Sequence, residues 1–145
     1  MTLRIASGAL TEIRRHLAAA YPAEGCGLLL GERGPNGDVV VRRQVPVPNP
    51  LIENGGGRTR YLIQPEDFLS AERVARQDSL EVVGAYHSHP DVPARPSAYD
   101  TEHAWPWCCY LIASVAGGDV REERVWELRD DRSGFVEHDL VVKES

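Results

Sequence analysis

Two histidines separated by one residue, His87 and His89, are the residues of this chain best suited to chemistry. On an extended segment their side chains point to the same side, because strand side chains alternate with a period of two. Asp100 follows His89 by eleven positions, far enough for its carboxylate to turn back onto the imidazoles. Two imidazoles and one carboxylate leave a fourth tetrahedral position open for water, as in catalytic zinc sites. The pattern therefore predicts a catalytic rather than a structural metal site.

The two histidines also have a plainer interpretation. A lone His-x-His motif occurs as two ordinary polar residues at the end of a strand. Here Pro90 and Pro96 flank the segment, and a Ser-x-x-Asp sequence ending at Asp100 follows it. This combination of residue types favours metal binding over the plainer interpretation.

Ser97 has two compatible interpretations. Ser97-x-x-Asp100 resembles a capping box, with Ser97 as the N-cap of a short helix and Asp100 in place of the usual Glu or Gln. In the functional interpretation the Ser97 hydroxyl faces the metal and donates a hydrogen bond to a developing oxyanion. The cap explains how Asp100 is aimed, and the oxyanion role explains why a hydroxyl is needed there.

A hydrolytic metal site also needs a group that takes a proton from water and passes it to the leaving amine. Glu24 stands just before an apolar, glycine-bounded strand, whereas Asp91 lies in a proline-rich loop, which favours a surface role. From the residues alone, Glu24 is either this general acid/base or an ordinary loop carboxylate. His103 is the second choice as a metal ligand and otherwise a packing residue. No chemistry is assigned to His16 or His138.

Composition excludes several classes of function. The chain has 145 residues, enough for one compact domain, predicted to span residues 1–145. A formal net charge of −6 argues against a general binder of nucleic acid or membrane surfaces. The sequence shows no secretory signal pattern and no apolar run that could span a bilayer, so we expect a cytoplasmic protein. Three cysteines, Cys26, Cys108 and Cys109, form no disulfide framework and are expected to be buried thiols.

Helices and strands alternate irregularly, which predicts an α/β domain with a mixed sheet and packed helices. Residues 49–60 contain three consecutive glycines and are predicted to form a long loop without secondary structure of its own. Helices are expected at residues 11–21, from 65 to about 77 and from 97, and strands at residues 26–31, 38–47, 80–87, 110–115, 121–128 and 135–142.

At this point the residues resemble a known family. Glu24, then His-Ser-His-Pro about sixty residues later, then Pro-Ser-x-x-Asp, is similar to the motif of the JAMM (MPN-plus) metalloproteases. The resemblance extends over nearly the whole chain. It implies a curved mixed β-sheet with flanking helices, the MPN or JAB domain, similar to the cytidine deaminases. A deaminase itself is excluded, because the chain lacks the His-x-Glu and Pro-Cys-x-x-Cys motifs.

The resemblance also implies roles for individual residues. His87, His89 and Asp100 would bind one Zn²⁺, Glu24 would be the general acid/base, and Ser97 would stabilise the oxyanion. Short members of this family act on small ubiquitin-like sulfur-carrier proteins and release cysteine or a peptide extension from a C-terminal Gly-Gly tail. We therefore expect cleavage of a peptide or isopeptide bond after that glycine.

The expected substrate tail would add to an exposed strand, and the loop of residues 49–60 would order over it. Deleting the glycines of this loop is then expected to raise the KM for a carrier substrate. Two other functions stay open: a protein-binding scaffold that holds metal with little turnover, and a zinc-dependent hydrolase of small amides.

Overall fold

The structure is a computed structural model that describes residues 1–52 and 60–144. Its described part contains seven strands and three α-helices, with a short 3-10 turn at Pro50–Ile52. In chain order they are β1 (Thr2–Ala6), α1 (Ser7–Ala20), β2 (Cys26–Arg33), β3 (Val39–Val47), α2 (Pro65–Gln77), β4 (Glu81–Pro90), α3 (Ala98–His103), β5 (Cys109–Ala116), β6 (Asp119–Leu128) and β7 (Phe135–Lys143).

The strands close into a barrel in the order β1-β3-β2-β4-β5-β6-β7. The β1–β3, β1–β7 and β4–β5 pairs are parallel and the others antiparallel, which confirms the predicted mixed sheet with helices. Register shifts between Leu29 and Leu30 and between Ser114 and Val115 add local twist and help the sheet to curve. Closure of the sheet was not predicted, and the likeness to cytidine deaminases stays a prediction.

Two helices cover opposite faces of this sheet. α1 contacts β1, β3 and β4 to β7, whereas α2 contacts β2 and β4. Strand β2 shows the resulting alternation: Leu29 belongs to the apolar cluster under α1, and Leu28 and Leu30 belong to the cluster under α2. Burial on both faces explains why β2 reads as a continuous apolar run. Among the described residues, no helix is long and apolar enough to cross a membrane.

Several predicted boundaries need correction. β1 was not predicted, because its five residues run into α1 without a turn residue between them. The prediction that β4 ends at His87 is wrong: parallel pairing with β5 continues from Gly84–Cys109 to Pro90–Val115. Within the predicted loop, residues 50–52 form a 3-10 turn, and residues 53–59, including the three glycines, lie outside the described residues. All three cysteines are free and buried, as predicted.

We expect Gly84→Ala to destabilise the pairing of β4 with β5. A methyl group at Gly84 would collide with the backbone carbonyl oxygen of Cys109, which cannot swing aside as a side chain can. The expected loss in the free energy of unfolding is about 1–3 kcal/mol, measured by urea denaturation. Gly134→Ala is the matched control, since a methyl group there meets nothing within 4 Å. Equal stability of the two variants would contradict this description of the strand pair.

Candidate functional site

Strand β4 carries His87 and His89 near its C-terminal end, on the same face of the sheet. Their ring Nε2 atoms lie 3.3 Å apart, and both side chains are buried, with 0% and 5% exposure. Pairing on both sides fixes this part of β4, because His87 lies opposite Cys26 of β2 and Ile112 of β5. The two imidazoles therefore converge on one point, as the spacing predicted.

Helix α3 delivers Asp100 to the same point. Its Oδ1 lies 3.2 Å from His87 Nε2, and its Oδ2 lies 3.1 Å from His89 Nε2. Asp100 is held by a full capping box: the Asp100 N–H donates to Ser97 Oγ at 3.1 Å, and the Ser97 N–H donates to Asp100 Oδ2 at 2.8 Å. The predicted N-cap role of Ser97 is confirmed by these bonds.

Burial and contact shift the pKa values of this cluster in different directions. Burial alone would raise the pKa of Asp100, but His87, His89 and the Ser97 N–H together hold it well below its ordinary value. Burial lowers the pKa of His87. Burial also acts to lower the pKa of His89, but its hydrogen bonds to Asp100 and to the Pro93 carbonyl outweigh this and raise it. These contacts therefore favour the ionised form of Asp100.

The protonation of His89 is constrained by its second ring nitrogen. Nδ1 lies 3.0 Å from the carbonyl oxygen of Pro93, which can only accept, so Nδ1 carries the proton. In a neutral His89, Nε2 then presents a lone pair toward the Asp100 carboxylate 3.1 Å away. Two lone-pair atoms this close repel unless a cation, either a proton or a metal ion, lies between them. Metal-ligating histidines are commonly held by a carbonyl in this way.

The donor set fits a divalent metal. In tetrahedral zinc sites the ligand atoms lie about 2.0–2.1 Å from the metal, which puts neighbouring ligands about 3.3 Å apart. The contacts among His87 Nε2, His89 Nε2 and the Asp100 oxygens are 3.1–3.3 Å. Nitrogen and oxygen donors of this kind suit zinc. His87 Nδ1 has no hydrogen-bond partner in the described part of the chain, and its ring stacks on Tyr61 with centroids 4.2 Å apart.

Glu24 faces this cluster from the start of β2. The Gly25 N–H donates to Ser88 Oγ at 2.9 Å, and the Ser88 N–H donates to the Gly25 carbonyl at 3.1 Å. These bonds hold Glu24 beside the histidines, with ligand atoms of Glu24, His87 and His89 within 4.8 Å of one another. The side chain is 4% exposed, and burial raises its pKa to about 8. This environment disfavours the interpretation of Glu24 as an ordinary loop carboxylate.

A cleft of about 410 Å³ opens beside the cluster and gives access to it. Glu24 and Ser97 both line it, so a molecule bound there would contact both residues. Its lining residues are Glu24, His89, Pro90, Val92, Pro93, Arg95 and Ser97.

The other titratable candidates lie elsewhere. His103 is exposed, bonds the Tyr99 carbonyl through Nδ1 at 2.9 Å and stacks on the Tyr99 ring, so it is a packing residue and not in the ligand cluster. His16 has a partner that the sequence did not reveal, the Tyr86 hydroxyl at 2.7 Å. Asp91 accepts a hydrogen bond from the Tyr21 hydroxyl at 2.9 Å, away from the cluster.

Sequence reasoning missed Asn49 as a residue of the site. Its buried side-chain amide donates to the carbonyl of Glu24 at 3.1 Å and to the carbonyl of Arg60 at 2.8 Å. Asn49 thus joins the backbone of Glu24 to the far end of the loop of residues 49–60. Its setting between Pro48 and Pro50 indicates only a turn, and no sequence signal identifies a side chain whose partners are carbonyls.

Comparisons with known proteins place the chain in a family. A family model described as prokaryotic homologs of the JAB domain matches residues 6–129. A probable TtuB-protein conjugate cleaving protease from Thermus thermophilus is 36% identical over 117 residues, covering 81% of this chain and 73% of the relative. A desampylase from Haloferax volcanii is 37% identical over 109 residues, covering 74% of each chain.

A solved structure extends the likeness to nearly the full length of the fold. The solution structure of a protein from Desulfitobacterium hafniense has a TM-score of 0.84 and 30% identity, and it covers 99% of this chain and 94% of its own. The relatives named as proteases confirm the prediction of a hydrolase. The family model and the relatives together show that this chain belongs to the prokaryotic JAB domain family.

Proposed function

We propose that the protein is a zinc-dependent peptidase that cleaves the peptide or isopeptide bond after the C-terminal glycine of a ubiquitin-like protein. One observation carries this proposal: a compact donor set of His87, His89 and Asp100 lies beside a buried carboxylate, Glu24, at the mouth of one cleft. Metal ligands and a proton carrier in contact with the same space are the requirements of metal-assisted hydrolysis.

The identity of the substrate is inferred from the relatives. Two of them are named for the cleavage of protein conjugates, a TtuB-protein conjugate in one case and a desampylation in the other. We propose a substrate of the same general class, with a C-terminal Gly-Gly tail. Within this class we favour a sulfur-carrier protein from which cysteine or a short extension is released in the cytoplasm, in support of cysteine biosynthesis.

Metal would be held by His87 Nε2, His89 Nε2 and a carboxylate oxygen of Asp100. When bound, zinc supplies Lewis-acid chemistry, which polarises a carbonyl group and lowers the pKa of water. The protein keeps these three ligands in place through Pro93, whose carbonyl fixes the tautomer of His89, and through the Ser97 cap, which fixes Asp100. The ligands are therefore oriented before any metal binds.

Glu24 moves the proton in this proposal. A general base works best when its pKa is near the working pH. Burial raises the pKa of Glu24 to about 8 in the metal-free protein, and a cation held by the neighbouring ligands would lower it toward neutrality, where the carboxylate can accept a proton. The carboxylate of Glu24 takes a proton from the attacking water as the C–O bond forms. It then gives that proton to the amine as the scissile C–N bond breaks, and it returns to its starting state.

Ser97 is the proposed oxyanion donor. Its Oγ accepts a hydrogen bond from the Asp100 N–H, so its own proton is free to point elsewhere. Ser97 also lines the cleft beside Glu24 and His89. The hydroxyl can therefore donate to the substrate oxygen on which negative charge develops. The Ser97 hydroxyl thus accepts the hydrogen bond that positions Asp100 and can donate its own proton to the substrate.

The barrel limits where a substrate tail can add as a strand. Closure leaves free edges only where a strand extends beyond its partner, such as residues 42–47 of β3, whose register with β1 covers only Val39–Val41. Any strand addition is therefore confined to such a segment. In the cleft itself the walls contain Pro90 and Pro93, which have no backbone N–H to offer to a tail.

A cleavage assay tests the proposed function. The substrate is a ubiquitin-like protein with a short extension after Gly-Gly, incubated with zinc-loaded wild type, Glu24→Gln and His103→Ala. We expect Glu24→Gln to lower kcat by about 10²–10⁴-fold, because the proton carrier is lost while the ligands remain. His103→Ala should retain wild-type kcat, since His103 lies outside the cluster.

The same assay distinguishes the alternatives. A scaffold would bind zinc and the ubiquitin-like protein without cleaving any Gly-Gly extension. A small-amide hydrolase would cleave a dipeptide as fast as the whole carrier. Wild-type activity in Glu24→Gln would contradict the role of Glu24.

Metal binding provides an independent test of the ligand set. We expect His89→Ala to weaken zinc affinity at least about 100-fold, because only two of the three protein ligands, His87 and Asp100, remain. Glu24→Gln should still bind about one zinc per chain. Affinities are measured by competition with a chromogenic chelator, with His103→Ala as the matched histidine control. An equal loss in His103→Ala would refute the assigned ligands.

The raised pKa of Glu24 should make the stability of the metal-free protein depend on pH. Its folded pKa of about 8 lies above the ordinary 4.5, so Glu24 contributes most stability below pH 4.5 and loses it as pH rises to 8. The unfolding free energy of wild type minus that of Glu24→Gln should therefore fall between these pH values and then level off. It is measured by urea denaturation with a chelator present. A flat curve for Glu24→Gln would contradict its burial.

A further inference from the structure

Arg95 brings a positive charge into the proposed active-site cleft. It lines the cleft together with Glu24, His89 and Ser97, and it is the only cationic side chain among the described residues that do so, since His89 is assigned to the metal. Glu24 is the group that hands a proton to the departing amine. Because Arg95 and Glu24 line the same cleft, a leaving group protonated by Glu24 would be close to the Arg95 side chain.

The backbone before Arg95 is firmly anchored. The Ala94 N–H donates to Glu122 Oε1 at 2.9 Å, and the Ala94 carbonyl accepts from Trp126 Nε1 at 3.0 Å. Ala94 itself is fully buried, and Ser97, two residues after Arg95, is fixed by the helix cap. The backbone on either side of Arg95 is thus held in place, so binding would have to order only the Arg95 side chain and not the loop that carries it.

The guanidinium of Arg95 is not neutralised by an ion pair within residues 1–52 and 60–144. Glu122, an acidic residue that Arg95 influences electrostatically, already bonds the Ala94 N–H through Oε1 and Arg124 through Oε2 at 3.2 Å. By contrast, Arg14 forms a two-bond pair with Glu123 at 2.6 and 2.8 Å. Arg95 is therefore available for an anion that comes from outside the chain.

We propose that Arg95 binds the free carboxylate of the leaving group, so that the enzyme prefers a short linear C-terminal extension to an isopeptide-linked lysine. This inference rests on the proposed function. In a one-residue extension the carboxyl carbon lies about 2.5 Å from the scissile nitrogen, and each further residue adds about 3.3–3.6 Å. Arginine is well suited to this role, because its planar guanidinium can form two parallel hydrogen bonds with a carboxylate.

The preference should fade as the extension grows. A carboxylate four residues from the scissile bond lies more than about 10 Å further out in an extended chain, beyond the cleft wall that Arg95 shares with Glu24. An isopeptide-linked lysine inside a folded protein has no free carboxylate near its Nζ atom at all. Arg95 therefore separates the two types of substrate by charge and by distance.

The test compares two substrates that differ only at the terminal carboxyl group. A ubiquitin-like protein ending in Gly-Gly-Ala is prepared as the free acid and as the amide; alanine replaces cysteine so that no thiolate binds zinc. We expect wild type to cleave the acid with a kcat/KM about tenfold higher than the amide, as for one charge-assisted hydrogen bond. Arg95→Gln should bring this ratio close to one, and Arg95→Lys should leave an intermediate ratio.

Arg15→Gln is the matched control, because Arg15 is an exposed arginine of α1 that pairs with Glu12 outside the cleft. Its acid-to-amide ratio should equal that of wild type. Affinity of the acid and the amide for Glu24→Gln, measured by calorimetry, gives a second comparison that needs no turnover. Glu24→Gln should bind the acid more tightly than the amide. Adding Arg95→Gln to Glu24→Gln should make the two affinities equal.

The outcomes separate the two proposals. Failure to cleave either substrate would contradict the proposed function, and the affinities would still decide the role of Arg95. Equal cleavage of acid and amide by wild type would refute the role of Arg95 while leaving the peptidase in place. A parallel loss with both substrates in Arg95→Gln would also refute it, because Arg95 would then bind the carrier rather than the leaving group.

Discussion

The contact of Asp100 with two histidines and one backbone N–H is the interaction on which the site depends. A buried anion with a strongly lowered pKa requires compensating charge or donors, and here the Ser97 N–H and the imidazoles provide them. The same carboxylate closes the cap of α3. Because one side chain performs both tasks, the short helix cannot form its full cap without presenting a carboxylate to His87 and His89.

The two carboxylates of the site, Asp100 and Glu24, have different environments. Asp100 is surrounded by donors, which lower its pKa, whereas burial raises the pKa of Glu24 to about 8 in the metal-free protein. The environments push the two pKa values apart, and groups separated in this way can serve as ligand and proton carrier. The strands hold the two groups in position, because Gly25, just before β2, exchanges two hydrogen bonds with Ser88 of β4.

The sequence predicted much of the fold and most of the residues of the site, because these depend on local patterns. Periodicity located α1, α2 and the β2–β3 hairpin, and the spacing of His87, His89 and Asp100 indicated the cluster. β1 and barrel closure were missed, since they depend on pairing of β1 with β3 and β7, which lie far away in the chain. Asn49 and the Pro93 carbonyl were missed because backbone acceptors leave no mark on residue type. The roles assigned to the site residues remain predictions.

The double hydrogen bond of Asn49 has a consequence for how this family can vary. The amide of Asn49 donates to the carbonyls of Glu24 and Arg60, so both ends of the loop of residues 49–60 are held together beside Glu24. Lengthening a loop whose ends are fixed costs only about 0.6 kcal/mol for each doubling of its length. Related proteins could therefore acquire insertions in this segment, and with them new partners, while the carboxylate of Glu24 keeps its position.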